Sequence, residues 1–144
     1  MKREKGFTLI ELMIVVSIIA IIAAIAIPSL LNARKAGNEA SCISSLRTLT
    51  TCNEQYRTRF ASTTVGYADV LTNLQGAGYI DSVLGAGTKS GYTFTYAGTR
   101  TTWTCTATPV TAGTTGDRQF FANETGVIRS DPTAATVTSA PIDQ

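Results

Sequence analysis

The stretch Lys5-Gly6-Phe7-Thr8-Leu9-Ile10-Glu11-Leu12 opens an apolar run that ends at Pro28, and this run decides the fold. Between residues 7 and 27 the only polar side chains are Thr8, Glu11 and Ser17. A helix of this length spans about 30 Å at a rise of about 1.5 Å per residue, which matches the hydrocarbon core of a bilayer. Because the run is apolar on all sides, it needs lipid or other helices around it. The segment therefore predicts a membrane-spanning helix over residues 7–28.

Basic residues at the N-terminus orient this helix. Lys2, Arg3 and Lys5 precede the apolar run, and the positive-inside rule places them in the cytoplasm. Everything after Pro28 then lies on the other side of the membrane. We expect a chain that crosses the bilayer once, with a cytoplasmic N-terminus.

Two ordinary interpretations of the apolar run leave features unexplained. A secretory signal peptide shares the basic start, and Ala24-Ile25-Ala26 has the form of a cleavage site. However, the apolar region is too long for a signal peptide and holds a carboxylate near its beginning. A plain membrane anchor explains the length and orientation but not Glu11, since an unpaired carboxylate in lipid costs about 3 kcal/mol.

A third interpretation accounts for Glu11. The string from Lys5 to Leu12, followed by the uncharged run and Pro28, closely resembles the cleavage and methylation segment of type IV pilins. The resemblance implies that residues 1–6 are a leader. It also implies that a prepilin peptidase and methyltransferase cuts between Gly6 and Phe7 and methylates the new amino group of Phe7.

The same resemblance gives Glu11 and Pro28 roles in assembly. Cleavage creates a cation at Phe7, which in a helical filament pairs with the Glu11 carboxylate of a neighbouring subunit in a low-dielectric core. Pro28 either kinks one long helix or, as the resemblance implies, marks where the helix unwinds when subunits pack.

The function implied by the resemblance is that of a structural subunit in a type IV pilus. Its partners would be copies of itself in a helical homopolymer, the processing enzyme and the pilus assembly machinery. The assembled extracellular fibre would serve motility, adhesion or DNA uptake, without catalysis or a cofactor in this chain. The alternative is a pseudopilin of a type II secretion system, whose filament is periplasmic.

Composition excludes several other functions. The chain has 144 residues, enough for one domain with an appendage, and it contains no histidine and three cysteines. Histidine-based catalysis and the usual zinc sites therefore lack their side chains. From Phe7 onward nine basic residues balance nine acidic ones, so we expect no direct nucleic-acid site.

The rest of the chain predicts a helix packed on a sheet. Residues 29–60 are amphipathic, and their second half should pack under a globular head. Residues 61–90 read as a connecting region with short helices near 67–74 and 79–84. Period-two alternation over residues 91–130 predicts four antiparallel strands, and residues 131–144 form a loosely held tail. The apolar side chains that share one helical face are Leu31, Cys42, Leu46, Leu49, Tyr56 and Phe60. The fold class is α+β, and the resemblance implies the ladle-like pilin fold.

The cysteines are disulfide candidates, because they lie in an oxidising compartment. Cys42 and Cys52 are about 15 Å apart along one helix, which is beyond the reach of a disulfide. Cys105 on the sheet is expected to bridge to one of them, with Cys42 slightly favoured, and three free buried thiols remain the alternative.

Three acidic residues late in the chain are candidate calcium ligands. Asp117, Glu124 and Asp131 lack the alternating spacing of a calcium loop. We therefore predict no metal site.

Overall fold

The computed structural model describes residues 6–60 and 66–142. The chain divides into two compact units, one that ends at Arg34 and one that begins at Lys35. The helices are α1 (Leu9–Phe60), α2 (Leu71–Gly76) and α3 (Ser82–Gly85). The strands are β1 (Thr88–Lys89), β2 (Tyr92–Gly98), β3 (Trp103–Pro109), β4 (Gln119–Asn123) and β5 (Arg129–Asp131). The α+β class is as predicted, although part of the predicted connecting region, residues 61–65, lies outside the described residues.

The second unit, the head, is built on the later part of α1. Its buried helical face runs from Cys42 through Leu46 and Leu49 to Tyr56, as the amphipathic pattern predicts. The face packs on the inner side of the sheet, where Trp103 and Phe120 are almost fully buried. Full burial of a leucine contributes about 2 kcal/mol, so the buried leucines of this face stabilise the head.

Across the described residues the sheet has five strands, not the four predicted. All neighbours are antiparallel and follow chain order from β1 to β5. The additional strand is β1, whose residues Thr88 and Lys89 pair with Thr93 and Tyr92. The pattern of alternation missed it because two residues are too few to show a period.

A tight turn makes β1 possible. Ser90 and Gly91 connect β1 to β2, and both have positive φ, 50° and 74°. Positive φ at both central residues is the geometry of a two-residue hairpin turn whose twist matches the strands. A side chain at position 91 would also come within 2.9 Å of Thr115, so glycine is required there on two counts.

A polar clamp joins the start of the head helix to the loop between β3 and β4. The Glu39 carboxylate accepts hydrogen bonds from the backbone N–H of Asp117 at 3.0 Å and from Arg118 Nη2 at 2.8 Å. Lys35 Nζ lies 3.1 Å from Asp117 Oδ1, and Asn38 donates to the Thr115 carbonyl at 2.9 Å. The head therefore holds α1 from Lys35 onward, seven residues before the apolar face begins at Cys42.

The C-terminal tail is fastened to the sheet, which corrects the prediction of a loose tail. Ser130 donates its N–H to the Ala140 carbonyl, and Ile142 donates to the Ile128 carbonyl, both at 3.0 Å. Ala135 is buried, with 5% of its surface exposed. The composition of the tail gave no sign of this pairing because the bonds are between backbone groups.

Candidate functional site

The peptide bond between Gly6 and Phe7 lies outside regular structure. Both residues precede α1 and are exposed, and Phe7 keeps 89% of its surface accessible. A Cβ at Gly6 would meet no atom within 4 Å, so the fold itself does not require glycine there. An accessible backbone with no side chain suits an enzyme that must approach the chain closely.

A capping box starts α1 two residues after this bond. The Glu11 Oε2 atom accepts hydrogen bonds from the Thr8 N–H at 2.8 Å and the Thr8 hydroxyl at 2.6 Å. The Glu11 N–H donates in return to Thr8 Oγ1 at 3.3 Å. The first helical N–H groups, which have no partner inside the helix, are partly satisfied in this way.

Thr8 was not singled out from the sequence, although the Thr-x-x-Glu spacing at the start of an apolar run is the signal for such a box. The box gives Glu11 a structural role within its own chain. The positive end of the helix dipole also favours a carboxylate at this position. Glu11 is thus less costly in an isolated chain than a bare carboxylate in lipid.

The first unit exposes a long apolar surface. In the described residues, α1 is the one helix long and apolar enough to cross a membrane. Ser17 donates its hydroxyl to the Met13 carbonyl at 2.8 Å, which satisfies a polar group within the apolar run. The exposed large apolar side chains are Phe7, Leu9, Ile10, Leu12, Met13, Ile14, Val15, Val16, Ile18, Ile19, Ile21, Ile22, Ile25, Ile27, Leu30 and Leu31. A surface of this kind is stable only in lipid or against other helices.

Pro28 lies inside α1, and the helix continues through it. Because proline has no N–H, the Ala24 carbonyl does not receive the hydrogen bond that residue 28 would otherwise donate. This position is a weak point of the helix, which is compatible with both the kink and the unwinding considered above.

The cysteines are free thiols, so the disulfide predicted from Cys105 to Cys42 or Cys52 is not formed in the structure. Cys52 donates its thiol to the Tyr79 carbonyl, with 3.2 Å between sulfur and oxygen. Burial raises the pKa of Cys105 to about 12 and also raises the pKa of Cys42 above its ordinary value. Since the thiolate is the reactive form, these side chains act as small apolar groups of the core.

Asp117 and Asp131 make contacts within the head. Asp117 pairs with Lys35, whereas Asp131 accepts hydrogen bonds from the N–H groups of Thr133 and Ala134. These backbone hydrogen bonds lower the pKa of Asp131. Within residues 6–60 and 66–142 no three acidic or cysteine side chains are grouped as metal ligands would be.

The structure thus brings together an exposed Gly6–Phe7 bond and the capped start of an apolar helix. Residues 1–27 match the family model described as the prokaryotic N-terminal methylation motif. This match and the relatives below confirm the resemblance to type IV pilins that residues 5–12 indicated.

Three relatives illustrate the similarity. The chain is 49% identical over 57 residues to the type IV wide pilus major component PilA4 of Thermus thermophilus, covering 40% of this chain and 44% of that protein. It is 44% identical over 54 residues to the type IV major pilin protein PilA of Myxococcus xanthus, covering 38% and 24% respectively. A fimbrial protein of Pseudomonas aeruginosa is 82% identical over 28 residues, 19% of this chain and 18% of that protein.

These matches span less than half the length of each relative. No solved structure shows a significant match to the chain.

Proposed function

We propose that this chain is the structural subunit of a type IV pilus. One observation carries the proposal: an accessible Gly6–Phe7 bond directly precedes a capped helix whose surface is apolar on every side. Such a helix has two stable environments, the bilayer and a bundle of like helices. Processing at its start offers a way to pass from the first to the second.

Processing is proposed at the Gly6–Phe7 bond. A prepilin peptidase of the inner membrane removes residues 1–6 from the cytoplasmic side and methylates the amino group of Phe7. The matched methylation motif over residues 1–27 supports this step. Cleavage removes three basic side chains that anchor the N-terminus in the cytoplasm, and it leaves one cation in their place.

Assembly is proposed to use the Phe7 cation and the Glu11 carboxylate of adjoining subunits. Both contacts of Glu11 to Thr8 use Oε2, so a neighbouring amine can approach the carboxylate group without first breaking the capping box. In a core of packed helices an ion pair is weakly screened, and an unpaired charge is strongly disfavoured. The pair therefore selects the register in which each subunit joins the filament.

The secretion pseudopilin is the less favoured candidate. The relatives named as major pilus components support the pilus. On this proposal the chain has no catalytic activity and binds no cofactor, and it begins as an inner-membrane precursor and ends in an extracellular fibre. Motility, adhesion and DNA uptake would belong to that fibre and its assembly machinery.

Mass spectrometry of sheared surface fibres tests the proposal. We expect the fibres to contain this chain, with a mature N-terminus at methylated Phe7. Absence of the chain from long fibres, together with its presence in a short periplasmic filament, would favour the pseudopilin. Intact residues 1–6 within assembled fibres would contradict the proposed processing.

A further inference from the structure

The edge of the sheet beyond β5 is covered by residues 139–142, here named the edge segment. Ser130 donates its N–H to the Ala140 carbonyl, and Ile142 donates to the Ile128 carbonyl, each at 3.0 Å. These bonds flank an antiparallel bridge between Arg129 and Pro141. The edge segment therefore lies where a sixth strand would pair.

The side of the edge segment that faces away from β5 has few free backbone groups for hydrogen bonds to another strand. In an antiparallel ladder alternate residues face the partner strand, so residues 139 and 141 direct their backbone groups away from β5. Pro141 has no N–H to donate. The Ser139 N–H donates to the Thr136 carbonyl at 3.1 Å, and the Ser139 carbonyl accepts from Arg129 Nη1 at 2.8 Å. Within residues 139–142, which the structure describes, the Pro141 carbonyl is the one outward backbone group left without a partner.

The opposite edge is also unsuited to pairing. Strand β1 has two residues, and the Lys89 ammonium is held 2.8 Å from Asp81 Oδ2. Short edge strands, lysine and proline are the means by which natural sheets avoid pairing with other chains. A flat edge would otherwise recruit a second sheet, above all where copies are concentrated in one membrane or fibre.

We propose that the edge segment is a guard that prevents strand pairing between the sheets of two copies of this chain. Copies then associate through α1 and not through an open sheet edge. Arg129 supports the guard because its Nη1 donates a hydrogen bond to the Ser139 carbonyl. The Nε atom of Arg129 is buried without a hydrogen-bond partner in the described structure. The guard is a property of the folded head and does not depend on whether α1 builds a filament.

The test opens the edge in a chain from which the proposed charge pair between helices has been removed. Full-length chain carrying Glu11→Ala is purified in detergent micelles, with or without the pair Pro141→Val and Arg129→Met. The first substitution restores an outward N–H, and the second frees the Ser139 carbonyl. Pro132→Val is the control for the proline substitution, because Pro132 is also exposed and follows β5 without taking part in the bridge.

Sedimentation velocity over a range of concentrations measures association, and amide hydrogen exchange locates it. The open-edge variant should dimerise at least about tenfold more tightly than the parent, the gain expected from two added hydrogen bonds. Its residue 141 amide should become protected as concentration rises. The parent and the Pro132→Val control should show neither change.

Three results would overturn the guard. One is a folded open-edge variant, with the near-ultraviolet signal of Trp103 unchanged, that stays as monomeric as the parent. Another is association without protection at residue 141. The third is equal association by the Pro132→Val control. Because Glu11→Ala is present throughout, none of these results bears on the proposed pilus assembly.

Discussion

Replacing Glu11 by glutamine should separate the two roles that the structure and the resemblance give to this carboxylate. Within one subunit the Glu11 Oε2 atom completes the capping box with Thr8. Between subunits the carboxylate charge is proposed to pair with the Phe7 amine. Glutamine keeps an oxygen that accepts from Thr8, since a capping box works with either residue, but it has no charge.

The two roles differ in magnitude. Loss of a helix N-cap typically costs about 1 kcal/mol, and Glu11→Gln should lose only part of that. An unpaired charge left in a buried site typically costs about 3 to 5 kcal/mol. We therefore expect Glu11→Gln to lower the assembly equilibrium about 100-fold or more, at 1.4 kcal/mol for each tenfold change.

Thr8→Val is the matched variant, because it removes the capping hydroxyl and keeps the charge. It should lower assembly by no more than about fivefold, in line with the loss of one cap. Glu11→Ala removes both functions and should resemble Glu11→Gln. The two Glu11 variants should insert into the membrane at least as well as the parent, since removing a charge from lipid is favourable.

The assay is the amount of chain in sheared filaments relative to the chain held in the membrane, measured for each variant. N-terminal analysis of the membrane fraction confirms that cleavage has taken place. Equal filament yield from Glu11→Gln and the parent would refute the charge pair. If Thr8→Val failed as severely as Glu11→Gln, the capping box would be the main reason for Glu11.

Four further predictions test processing, the thiols, the pH dependence of stability and the core. Gly6→Val should leave the leader attached in gel and mass analysis, whereas Gly37→Val, at another position with open space, should be processed normally. Without reductant, all three thiols should react with an alkylating reagent only after unfolding, and a single reactive thiol would show that Cys105 is bridged. Because burial raises the pKa of Cys105 to about 12 from an ordinary value of about 8.5, stability should be full below about pH 8 and fall as the pH rises toward 12. Leu46→Ala should lower the free energy of unfolding by about 3 kcal/mol in chemical denaturation, because that side chain is fully buried.

The features predicted correctly from the sequence are local ones. The apolar run from Phe7 and the string around Glu11 are contiguous, so their length and spacing can be read directly. The amphipathic face from Cys42 to Tyr56 and the alternation in β2 and β3 are periodic, and burial on one side of an element produces that period. The capping box is also local. It was not predicted, although the Thr-x-x-Glu spacing of Thr8 and Glu11 indicates it.

The tertiary structure alone decided what depends on contacts between distant residues. The guard at the sheet edge needs Ser130 and Ala140 to meet through backbone groups, which leave no pattern in side chains. The clamp between Glu39 and Arg118 joins positions 79 residues apart. Whether the cysteines form a disulfide also depends on packing. Their spacing in the sequence excludes a bridge between Cys42 and Cys52, but it does not show how each thiol is oriented and buried. Helices and strands can be predicted from the periodicity of apolar residues. Contacts between residues distant in the sequence depend instead on which surfaces pack together in the folded chain.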